Sequence, residues 1–163
     1  MKRFKMLTVL AVAAIFITAC GKDNNPEPPV IEDGTYVGTM TVYNGIDGQL
    51  HYQQNNVSIK IEKGDGNIVN IEILQVKFDE RMPMTIDVTI PEVTTVDTET
   101  GFSLSADNII PIAMGSQSDN FKMNDLNGSI TRQSMTFSVV CDIKLQPILT
   151  GIFPLSFTGT KAE

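Results

Sequence analysis

The stretch Val57-Ser58-Ile59-Lys60-Ile61-Glu62-Lys63-Gly64-Asp65-Gly66-Asn67-Ile68-Val69-Asn70-Ile71-Glu72-Ile73 decides the fold class. Val57, Ile59 and Ile61 alternate with Ser58, Lys60 and Glu62, which is the two-residue period of a strand with one buried face. Lys63 to Asn67 then supplies turn chemistry, with Gly64 and Gly66 around Asp65. The return run repeats the period, Val69, Ile71 and Ile73 against Asn70 and Glu72. The segment is a β-hairpin, apolar on one side.

The same pattern spreads in both directions. Upstream, Tyr36, Gly38, Met40 and Val42 alternate with Val37, Thr39 and Thr41, and turn residues follow at Asn44-Gly45 and Asp47-Gly48. Downstream come Met84, Ile86, Val88 and Ile90, then Phe102, Leu104 and Ala106, then Ile110, Ile112 and Met114. Residues 115–120 read as a loop. Leu126, Gly128 and Ile130 give a short strand, Met135–Ile143 a longer one, and Phe153, Leu155 and Phe157 the last. No sustained run carries apolar residues at helical spacing. Eight or nine short antiparallel strands predict an all-β domain, a closed barrel or alternatively a β-sandwich.

The two ends of this region carry a resemblance. Gly34-Thr35-Tyr36-Val37-Gly38-Thr39 and Pro154-Leu155-Ser156-Phe157-Thr158-Gly159-Thr160-Lys161 resemble the calycin-like β-barrel family of Bacteroidetes lipoproteins. Its members open with a Gly-x-Tyr-x-Gly strand and finish on Phe-Thr-Gly-Thr-Lys, and Met135–Ile143 fits the penultimate strand. The likeness implies a single antiparallel up-and-down, lipocalin-like barrel of about eight strands over 34–161. Residues 79–82 and 93–101 match nothing in the pattern. The family has no established activity, so it assigns no functional residues.

Physics agrees with closure at those ends, since an open edge invites pairing with another chain. Tyr36, Gly38, Phe157, Gly159 and Lys161 are the residues expected to form the seam. Calycins place Gly-x-Trp on the first strand with a basic residue stacked on the ring. Here Tyr36 stands in that place, and the chain has no Trp. Lys161 is expected either to fold over the barrel end near Tyr36 or to stand free as a terminal lysine.

Ahead of the domain, Lys2, Arg3 and Lys5 precede an uncharged run from Met6 to Ala19, the layout of a secretory signal. The run falls short of the roughly 20 residues that span a bilayer. It ends in Ile17-Thr18-Ala19-Cys20, which resembles a bacterial lipobox. Residues 1–19 are therefore expected to be a lipoprotein signal peptide, with Cys20 lipidated and inserted in the bilayer. Residues 20–33, rich in Pro and Asn, read as a flexible tether. Lys22-Asp23 resembles the signal that exports such lipoproteins to the outside of the outer membrane.

Removing residues 1–19 leaves 144 residues with 9 basic and 19 acidic side chains, a formal charge of −10. That is one domain with a real core, and its acidity argues against nucleic-acid partners. Once Cys20 is lipidated, Cys141 has no disulfide partner, and its parity with Met135, Phe137 and Val139 predicts a buried, inert thiol.

No catalytic, metal or cofactor constellation emerges. Asp79-Glu80 are neighbours that a strand would point apart. Asp97 and Glu99, with Asp107 or Asp119, lack the glycine-disciplined loop of a calcium site and read as solvated turn acids. Met82-Pro83-Met84 with His51, the only histidine, is the sole soft-metal combination, and core packing explains the methionines better. Two functions remain. One is a non-enzymatic module binding a small apolar or glycan-derived ligand in the barrel. The other is a filled barrel presenting loops to a protein partner at the cell surface. Inward Ile, Met, Phe and Leu favour filling, whereas Gly38, Ala106, Gly128 and Gly159 would leave space.

Overall fold

The computed structural model of the chain describes residues 30–147 and 149–163. The signal segment, Cys20 and most of the tether lie outside the described residues. The rest is β1 (Gly34–Tyr43), β2 (Leu50–Lys63), β3 (Ile68–Val76), β4 (Ile86–Asp97), β5 (Gly101–Ala106), β6 (Ile112–Ala113), β7 (Ser116–Gln117), β8 (Phe121–Thr131), β9 (Ser134–Leu145) and β10 (Leu149–Lys161). Among the described residues there is no helix.

Eight of these strands close an antiparallel barrel in the order β1-β2-β3-β4-β5-β8-β9-β10, and β6 and β7 attach outside the ring beside β4. The seam is β1 against β10, with Tyr36 opposite Lys161, Gly38 opposite Gly159, and Met40 opposite Phe157. A barrel thus replaces the sandwich alternative. Met40, Val42, Ile59, Ile71, Ile73, Met123, Met135 and Phe157 fill the interior as part of one contiguous buried cluster.

The inward glycines do not open a lumen. A Cβ on Gly128 would meet Cβ of Phe137 at 2.6 Å, and one on Gly159 would meet Cζ of Phe157 at 2.5 Å. Those two rings stack with centroids 5.7 Å apart, so the space the glycines vacate is occupied.

The pairings carry five register slips, three of them in mid-strand, where they let long strands coil round the barrel. The β1–β2, β3–β4 and β8–β9 registers slip opposite Thr39, near Pro91-Glu92, and near Asp125-Leu126. Asn56, Glu92 and Asp125 take positive φ there, at 57°, 56° and 53°. Outward polar side chains hold two of them. The amide of Glu92 donates to Oδ1 of Asn70 at 3.1 Å, and that of Asp125 to Oδ1 of Asp107 at 3.1 Å. A similar bond, from the amide of Gln75 to Oδ1 of Asp87 at 2.8 Å, holds the left-handed end of β3.

Antiparallel winding sorts the connections to two ends. The β2–β3, β4–β5 and β8–β9 hairpins share one end with Gly34 and Lys161, the start of the first strand and the end of the last. The longer segments 44–49, 77–85 and 107–120 share the other, with the β9–β10 turn.

Candidate functional site

The segment 77–85 crosses the loop end and is pinned to the projecting first half of β2. Gln54 takes the amide of Lys77 on Oε1 at 3.0 Å and donates Nε2 to the carbonyl of Gln75 at 2.8 Å. Farther along, Oδ2 of Asp79 lies 2.8 Å from Nε2 of His51 and accepts from Nη2 of Arg81 at 2.7 Å. Its Oδ1 accepts from the amide and from Nε of Arg81, at 2.8 and 2.9 Å. Asp79 is 3% exposed, one of only two buried polar or charged side chains among the described residues. A buried carboxylate persists when hydrogen bonds replace water, and this one has four. The Arg81 guanidinium above all, with lesser help from the Arg81 amide and His51, holds its carboxyl well below the ordinary range, against the opposing pull of burial.

That anchor turns Phe78 and Met82 inward, where both are buried. The amide of Phe78 donates to Sδ of Met82 at 3.2 Å, and the Phe78 ring meets Phe121 edge-on at 5.7 Å. They back a cleft of about 490 Å³ whose walls include Ile86, Ile143 and Leu149, while Met84 and Met114 stand at its mouth. Met84 is 56% and Met114 68% exposed. The cleft is almost wholly apolar, shaped by the segments 77–85 and 111–118. It lies at the barrel's mouth and not within it.

The other sequence candidates fall elsewhere. Glu80 is exposed, and Asp79 sits in a turn, so the strand argument for separating the pair does not apply. Asp97 and Glu99 lie at the terminal end, whereas Asp107 and Asp119 lie at the loop end, so they form no cluster. Among the described residues no group of three or more His, Cys, Asp or Glu could hold a metal ion. Met82 and His51 have separate partners, since the Met82 sulfur takes the Phe78 amide and His51 Nε2 takes Asp79. Cys141 is wholly buried, and desolvation pushes its thiol far above the ordinary value. At the seam, Oη of Tyr36 donates to the carbonyl of Thr131 at 3.1 Å, and Nζ of Lys161 sits 3.5 Å from Oε2 of Glu32. Sequence reasoning missed the His51–Asp79–Arg81 anchor and the apolar cleft it shapes. The local signal was Asp79-x-Arg81, an acid and a base two residues apart beside Phe78 and Met82.

No family model matches this chain, and no curated protein does. Among solved structures, a crystal structure from Bacteroides fragilis NCTC 9343, described as a "putative outer membrane protein", is similar to it. The TM-score is 0.54 at 16% identity, over 79% of this chain and 50% of that one. The likeness is one of fold, and the chain spans about half the neighbour's length.

Proposed function

We propose that this chain is an envelope lipoprotein of the calycin-like kind, whose barrel binds a small apolar ligand at its loop end without chemical conversion. The observation that carries the reading is the cleft of about 490 Å³ between the 77–85 segment and Met114. Its volume lies within the roughly 300–1,000 Å³ of small-molecule sites, and its apolar walls suit a ligand of the same character. The polar groups nearby are committed to holding the wall, as Asp79 and His51 are to each other. Anchorage at an outer membrane through acylated Cys20, facing the cell surface, draws support from Ile17-Thr18-Ala19-Cys20 and Lys22-Asp23. The description of the Bacteroides fragilis neighbour points the same way.

A second reading, a protein-docking role, is favoured by the exposed Ile46, Met84 and Met114 around the same end and by the filled interior. Native mass spectrometry of the full chain purified from its own envelope separates the two. A co-purified small apolar molecule, lost in Met84→Asp and Met114→Asp variants that keep their unfolding temperature, supports ligand binding. A bare mass that also takes up no apolar probe overturns it in favour of docking.

A further inference from the structure

The terminal end of the barrel carries a larger cavity, of about 700 Å³, distinct from the loop-end cleft. Its floor includes Ile61, Phe102 and Ile130, with Tyr36 beside them, all buried. Phe102 is 7% exposed yet stands outside the main core cluster, so its ring borders this space instead of completing the core. The Tyr36 hydroxyl is spent on the Thr131 carbonyl at 3.1 Å, which leaves the floor apolar in character. Above it, Arg132 and Lys161 reach the rim together with Glu32 and Glu99.

We propose that this cavity is a second ligand site, for an amphiphile with an apolar body and a carboxylate head, and that Glu32 holds the place of that head. The Glu32 carboxylate already rests on Lys161, but at 3.5 Å, longer than the roughly 2.7–2.9 Å of a charge-assisted hydrogen bond. Its side chain is 73% exposed, and so open a pair contributes little. Exchanging it for a ligand carboxylate therefore costs little. Among the described residues Arg132 has no ion-pair partner, and its planar fork suits a carboxylate bidentately. The ligand's tail would then lie on Phe102, Ile61 and Ile130. The proposal is independent of the loop-end reading.

The chain has no Trp, so Phe102→Trp and, separately, Met114→Trp give single reporters of the two ends. Titration with the fluorescent fatty acid cis-parinarate should show saturable energy transfer from the Phe102→Trp reporter. In the otherwise native chain, Arg132→Gln should weaken parinarate binding about tenfold, and Glu32→Gln should tighten it several-fold. The corresponding fatty alcohol should be indifferent to both changes. Transfer from the Met114→Trp reporter alone would overturn the proposal, as would a Glu32→Gln variant no tighter than the parent. Binding to anionic phospholipid vesicles with no uptake of the monomeric acid would overturn it too, assigning the rim to a lipid surface.

Discussion

Nε2 of His51 and Oδ2 of Asp79 lie 2.8 Å apart, although 28 residues separate them in sequence. The contact joins the projecting half of β2 to the segment that walls the loop-end cleft. It makes the shape of that cleft depend on one carboxylate.

The acid limb of stability should therefore report on Asp79. Its carboxyl binds a proton less readily in the folded chain than in the unfolded one, because Arg81 and His51 hold the charged form. The stabilisation is complete above the ordinary carboxylate value of about 3.9 and drains away as pH falls from there toward the depressed folded value. Denaturant midpoints at pH 7 and pH 2.5 should differ by less in Asp79→Asn than in the parent. At pH 7 that variant should be less stable by about 1 kcal/mol, since the Arg81 amide and His51 lose a charged acceptor while the exposed Arg81 guanidinium returns to water. Equal acid sensitivity in the two proteins would show that Asp79 does not control this limb.

Cys141 pairs in register with Met123 on one side and Phe153 on the other, inside the barrel. Its buried thiol should ignore a disulfide reagent in the native state and react within seconds once the chain is unfolded in guanidinium. Cys141→Ala should cost about 1 kcal/mol and leave probe binding unchanged. Rapid native labelling would contradict the placement.

How much of this was legible follows the bulges. β9 keeps one parity throughout and was read nearly end to end, and β3 was read as far as Ile73, past which a slip at Gln75 moves the buried set to Val76. In β4 the buried set runs Ile86, Val88, Ile90 and then Val93, because the bulge at Pro91-Glu92 turns the strand over. A two-residue period searched across that point fails, so the sequence reading of this strand stopped at Ile90. β8 hides the same way: Phe121 and Met123 give way to Leu126 across Asp125, and only the second half showed. In β2 the pattern changes at Asn56, before which Leu50 and His51 are exposed, so its first half went unread. The functional end suffered most, because the His51–Asp79 contact joins that unread half of β2 to a turn. The inward glycines misled in the other direction. They read as empty space, and the rings of Phe137 and Phe157 fill it.

Removing Ser156–Lys161 tests closure at the level of the whole barrel. These residues pair with Tyr36–Thr41 on one side and Ser134–Ser138 on the other, so their loss would bare two long edges. The truncated protein should elute as oligomers or aggregates instead of a monomer, because unpaired edges recruit other chains. A well-folded monomer of unchanged unfolding temperature would show that the seam is dispensable.

A finer probe of the same seam is a single methyl group at Gly38. Gly38 faces Gly159 across β1 and β10, and a Cβ there would lie 2.1 Å from the Thr158 carbonyl oxygen and 2.4 Å from Cα of Gly159. Both obstacles are backbone, so no rotamer change relieves them and the strands themselves must part. A Cβ on Gly159 would first meet Cζ of Phe157 at 2.5 Å, the far end of a side chain, and the Val37 carbonyl oxygen only at 2.8 Å. Gly38→Ala should therefore cost about 3 kcal/mol, the upper range of overpacking, and Gly159→Ala about half as much. Strain at a closing seam also loosens pairing along its length, so Gly38→Ala should speed amide exchange across Val37–Met40 and Phe157–Thr160 before other strands. Urea unfolding of the two variants and hydrogen exchange of the first measure both effects. If Gly38→Ala unfolds within 0.5 kcal/mol of the parent, the strands do not approach this closely at the seam.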